Sequence, residues 1–66
     1  MNKMTLRNEE EAIQSEIYFL STGKHRVILR DLDTDNVLPV VRIFDGFEAA
    51  LEYARNLVGV KPPVKS

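Results

Sequence analysis

The chain reads as an α+β domain: a three-stranded antiparallel meander with a C-terminal helix packed on one face and a short N-terminal helix, in the order α-β-β-β-α. Three observations predict this. Two windows rich in β-branched and aromatic residues flank Ser21-Thr22-Gly23, a third such window follows the Asp-rich stretch 31–36, and an apolar stripe at helical spacing begins directly after it. The 66 residues fit one domain over 8–59, with 1–7 as a flexible N-terminus and 60–66 as a flexible Pro- and Lys-bearing tail. A chain this short buries only about 60% of its unfolded surface, so self-association is an expected way to gain stability.

Asn8 followed by Glu9-Glu10-Glu11 has the chemistry of a helix start, with Asn as cap and acids in the first turn. Ala12 and Ile13 supply its apolar anchors, which predicts a short helix over 9–14. The first strand is expected over 16–20, Glu16-Ile17-Tyr18-Phe19-Leu20, and the second over 24–31, Lys24 to Asp31. Gly23 suits the left-handed last position of a three-residue hairpin loop. That loop sets Phe19 opposite His25 and Ile17 opposite Val27, so Ile17, Phe19, Val27 and Leu29 share a face.

The third strand is expected over 37–44. A loop Thr34-Asp35-Asn36, with Asn left-handed, pairs Leu29 with Val41 and Val27 with Ile43. Pro39 lacks an N–H and places this strand at a sheet edge. Asp45 is expected to cap the C-terminal helix, and Glu48 three residues later completes a capping box. Phe47, Ala50, Leu51, Ala54, Leu57 and Val58 form its apolar stripe, Gly59 suits the C′ position, and Pro62-Pro63 bars continuation. The predicted core joins that stripe to Ile17, Phe19, Val27, Leu29, Val41 and Ile43.

This register places Tyr18, Leu20, Arg26, Ile28, Arg30, Leu38, Val40, Arg42 and Phe44 on the opposite face. Arginines among aliphatic and aromatic groups, left wet in a monomer, mark an interaction surface. Its cover is the N-terminal segment, a second chain or nucleic acid. The free edge of the first strand, guarded only by Glu16, offers a further place for a strand to add.

The run Gly23-Lys24-His25-Arg26-Val27-Ile28-Leu29-Arg30-Asp31, an Asp-rich turn, and then Val41-Arg42-Ile43-Phe44-Asp45-Gly46-Phe47-Glu48-Ala49-Ala50 resemble the arm-type DNA-binding domain of phage integrases. The resemblance covers residues 23–58 and implies three strands and a helix, with the sheet set in the DNA major groove. It implies Arg26, Arg30 and Arg42 as groove-facing residues and Lys24 near phosphate. Leu38, Pro39, Val40 and Val41 stand where that family's third strand is usually basic. The element order also resembles double-stranded-RNA-binding domains, but Phe47-Glu48-Ala49-Ala50 occupies the place of their lysine cluster.

Several chemistries are missing from the sequence. There is no Cys, hence no disulfide, thiolate zinc site or cysteine nucleophile. Asp31-x-Asp33-x-Asp35-Asn36 resembles a calcium loop, but the sixth position is Asn36 and the twelfth Arg42, where Gly and a bidentate acid are needed. His25 reads as a structural core histidine, with no nucleophile or acid at a spacing that would engage it. Gly46 opens a helix whose dipole Asp45 and Glu48 already serve. No apolar run is long enough for a membrane span, which leads to the expectation of a cytoplasmic protein. The expected function is a small non-enzymatic interaction module, without cofactor, metal or small-molecule substrate. It is expected to be a homodimer or bound to a larger protein, of phage or mobile-element accessory type. The alternative is DNA binding through the arginine-bearing face.

Overall fold

The computed structural model describes residues 3–59. Four strands form one antiparallel sheet in sequential order: β1 (Lys3–Asn8), β2 (Ile13–Phe19), β3 (His25–Asp31) and β4 (Asn36–Phe44). A single helix, α1 (Phe47–Leu57), lies across one face. The α+β class, the antiparallel meander and the C-terminal helix follow expectation. The three-stranded count and the N-terminal helix do not, and the tail expected over 60–66 lies outside the described residues.

Where a free end and then a helix were expected, the chain builds a hairpin. Lys3–Asn8 pairs with β2, from Lys3 opposite Tyr18 to Asn8 opposite Ile13. Met4 and Leu6 alternate with Lys3, Thr5 and Arg7, which is the period of a half-buried strand. A helix over 9–14 would have been under two turns long, with Ala12 and Ile13 as its only apolar anchors. Instead Glu9–Ala12 turns the chain, with Ala12 at φ 57° and its N–H donating to the Glu9 carbonyl at 3.3 Å. The strand expected at a free edge, β2, is therefore an inner strand, and the edges are β1 and β4.

The β2–β3 hairpin forms in the expected register, with Ile17 opposite Val27 and Phe19 opposite His25. Gly23 takes φ 90°, and the Leu20 N–H donates to the Lys24 carbonyl at 2.9 Å. The next hairpin differs. Its loop has four residues, Leu32–Asp35, closed by an Asp35 N–H bond to the Asp31 carbonyl at 2.7 Å, with Asp35 rather than Asn36 left-handed at φ 63°. Val27 then faces Arg42, Ile28 faces Val41 and Arg26 faces Ile43. A one-residue slip exchanges the faces of a strand, so Val41 and Ile43 leave the predicted core while Arg42 and Phe44 enter the helix side. Beyond Ile28 the register shifts again, and Arg30 faces Val37.

The core lies between sheet and helix. Ile17 and Val27 are fully buried against Ala50 and Ala54, with Leu6, Phe47, Leu51 and Leu57 around them, and Val58 is fully buried as well. The two alanines let the helix backbone approach closely enough for the buried Ser15 hydroxyl to donate to the Ala54 carbonyl at 2.7 Å. Asp45 does not cap α1. Gly46 is the N-cap, in extended conformation and without a side-chain hydrogen bond, and Asp45 is instead paired with Lys24. The reason is register: His25 faces Phe44, so the residues just beyond, Lys24 and Asp45, are brought side by side. At the other end Gly59 fulfils the expected C′ role at φ 74°, its N–H donating to the Asn56 carbonyl at 3.1 Å. Asn8 ties this end to the first turn, its side-chain nitrogen donating to the Val58 carbonyl at 2.6 Å. No helix among the described residues is long and apolar enough to cross a membrane.

Candidate functional site

The sheet face away from α1 follows from the three registers. It carries Lys3, Thr5 and Arg7 from β1, Gln14, Glu16 and Tyr18 from β2, Arg26, Ile28 and Arg30 from β3, and Val37, Val41 and Ile43 from β4. At its centre is an acid. Glu16 is only 1% exposed. It accepts from Gln14 Nε2 at 2.7 Å, Tyr18 Oη at 2.6 Å and Arg30 Nε at 2.8 Å, with a second Arg30 nitrogen at 3.4 Å. Burial alone would push this carboxyl up. The hydrogen bonds from Arg30, Tyr18 and Gln14, with the Arg30 charge, outweigh it and hold the group down to about 2. Arg30 is in turn held further above its ordinary value by its hydrogen bonds to Glu16.

Around this acid the face is basic on one side and apolar on the other. Lys3 and Arg26 stand over the Tyr18 ring, at 5.5 and 6.0 Å from its centroid. Arg7 donates to Gln14 Oε1 at 3.1 Å and reaches Glu9 only at 4.0 Å. Across the sheet Val37, Val41 and Ile43 are 47%, 57% and 55% exposed. Ile28, between the two sides, is buried.

Of the residues predicted for this face, Tyr18, Arg26, Ile28 and Arg30 are on it. Arg42 and Phe44 are not. Arg42 lies over the Phe44 and Tyr53 rings at 5.6 and 5.4 Å, on the helix side. Leu38 and Val40 are half-buried within the irregular part of β4, and Leu20 is half-buried beyond the end of β2. Lys24 is engaged with Asp45. The arginine triplet drawn from the integrase resemblance is thus divided: Arg42 is on the other side, Arg30 is bound to Glu16, and Arg26 alone keeps the expected setting. Lys3, Arg7, Glu16, Val37, Val41 and Ile43 replace the missing members. The alternation of β1 and of Gln14-x-Glu16-x-Tyr18 was the signal that could have placed the first three.

Other polar groups are spent on the fold. His25 is half-buried between Phe19 and Phe47, with ring centroids 5.1 and 5.8 Å away and no hydrogen-bond partner on Nδ1 among the described residues. Asp31 accepts from the Asp33 N–H at 2.9 Å, and Asp35 lies 3.5 Å from Arg30, so the turn's acids serve the turn. Among the described residues no group of three or more His, Asp or Glu is gathered to hold a metal ion. Comparison with known proteins adds nothing to this geometry: no protein-family model, curated protein or solved structure matches the chain.

Proposed function

We propose that this chain is a small non-enzymatic interaction module that binds protein through the open face of its sheet. The observation carrying the reading is the row Val37, Val41 and Ile43, about half exposed in a domain too small to waste apolar area. Such a patch beside charged groups is the usual composition of a protein-binding surface. A second reading, nucleic-acid binding, is favoured by charge: the face holds Lys3, Arg7, Arg26 and Arg30 against Glu16 alone, a net +3 on a chain of net −1. A photoreactive amino acid placed at Val41, in the cells that make the protein, tests both. Protein adducts from position 41 and none from Glu52 on the back of α1 are expected. Nucleic-acid adducts from 41 establish the second reading, and protein adducts from 52 alone overturn the first.

A further inference from the structure

The open face is neither uniformly basic nor uniformly apolar, and its grading limits what can sit on it. Val37 lies opposite Arg30 and Ile43 opposite Arg26, so the apolar row runs the length of four residues of β3. That is about 13 Å, or roughly two and a half turns of α-helix. From β4 to β1 the sheet is three strand spacings wide, about 14 Å, close to the 10–12 Å diameter of a helix with its side chains. A helix laid along β4 and β3 would keep one side on the valine-isoleucine row and bring its flank to the cations.

Those cations outnumber the one acid on the face. Glu16 is occupied by Arg30, Tyr18 and Gln14, with Lys3 near it at 3.9 Å. Among the described residues Arg26 has no carboxylate within ion-pair distance, and Arg7 has only the 4.0 Å contact with Glu9. The remaining acids lie in the turns, at the end of β3 (Asp31) and on α1.

Strand addition is disfavoured at both edges. β1 bears Lys3 and Arg7, and β4 has Pro39 within its register shift, devices that keep a foreign strand from pairing. A second copy docked face to face about a two-fold axis can set apolar row on apolar row, but it then brings cations onto cations or leaves them uncovered, and it adds no free carboxylate. Duplex DNA satisfies the cations but sets three aliphatic side chains against a surface whose protein partners are polar and strongly positive.

Resting on the reading of this face as a protein-binding surface, we infer that its occupant is an acidic amphipathic helix of another protein. Its apolar stripe lies on Val37, Val41 and Ile43, and its carboxylates meet Arg26 and, across the sheet, Lys3 and Arg7.

The test is a titration of the isotopically labelled chain, followed by backbone amide shifts, with a synthetic 14-residue helical peptide carrying a leucine stripe flanked by glutamates. Three comparison ligands accompany it: the same peptide with lysine for glutamate, an acidic peptide without the leucines, and a 16-base-pair duplex. Saturable shifts in β1, β3 and β4 for the first ligand alone are expected. Affinity should fall at least tenfold in Arg26→Gln and in Val41→Asp, both exposed sites whose folding is checked by thermal melting. Equal binding of the leucine-free peptide or of the duplex overturns the inference in favour of a general polyanion site. Concentration-dependent shifts of the unliganded chain on the same face overturn it in favour of a second copy. Saturable shifts with none of the ligands overturn it as well. Protein adducts at position 41 that persist undiminished in an Arg7→Glu, Arg26→Glu variant reject the acidic partner while leaving the open-face reading intact. The absence of any protein adduct at 41 rejects both.

Discussion

Glu16 shows how a single residue can lie under the surface of an open sheet face without being removed from its charge. Its carboxyl is held near 2 in the folded chain against an ordinary value of 4.5. Above the ordinary value the group is ionised in both states, and its pairings stabilise the fold in full. As pH falls through 4.5 toward 2, the unfolded chain takes up a proton that the folded one refuses, and that stability is lost. Glu16→Gln should therefore be less stable than the parent by about 3 kcal/mol at neutral pH, with the gap closing by pH 2. Urea melts at pH 7, 4 and 2.5 measure it, and a pH-independent gap would show that packing rather than charge is at stake. Ala12 offers a second, opposite case. It is held at φ 57°, where a Cβ is unwelcome. Ala12→Gly should raise stability by about 0.5–1 kcal/mol, seen as a higher melting temperature, although most glycine substitutions lower it.

At the scale of elements, the register of β4 makes the sharpest prediction. Ile17 is fully buried and Ile43 about half exposed, though both were expected to belong to the core. Ile17→Ala should cost about 2–5 kcal/mol, and Ile43→Lys less than about 0.5 kcal/mol, as read from denaturant midpoints. Comparable losses at the two positions would return Ile43 to the core. The start of α1 gives another check. Because Asp45 pairs with Lys24 and does not cap, Asp45→Ala should cost less than the loss of a true cap, and what it costs should fade in high salt. These two places also show where sequence reasoning stops. The β2–β3 hairpin was legible because Gly23 fixes its loop, and α1 because its stripe and Gly59 agree. β1 was hidden by an ambiguity in chemistry: the Asn8 side chain does accept from the Glu11 N–H at 3.1 Å, as a helix cap would, but here the bond closes a turn. The β4 error came from loop length, since Asp35 and Asn36 are both residues that tolerate a left-handed conformation and only one takes it. The predicted face inherited both errors: Arg26 and Arg30 lie on it, where the register held, and Arg42 and Phe44 do not, where it slipped.

For the molecule as a whole, the sequential order β1-β2-β3-β4-α1 makes every sheet neighbour a chain neighbour. Each hairpin closes through a loop of a few residues, a process of about 1–10 μs. The core is another matter. Ser15 meets Ala54 across 39 residues, and Asn8 meets Val58 across 50. The element that dries the inner face is thus the last of the described elements, and closing those long loops is the slow, entropically costly part of folding. In any state in which α1 is undocked, the inner face of the sheet loses its cover and Ile17 and Val27 are wet, while Val41 and Ile43 stay half exposed on the other face. The guarded edges at Lys3, Arg7 and Pro39 therefore matter most in that state, when no helix shields the sheet from its neighbours.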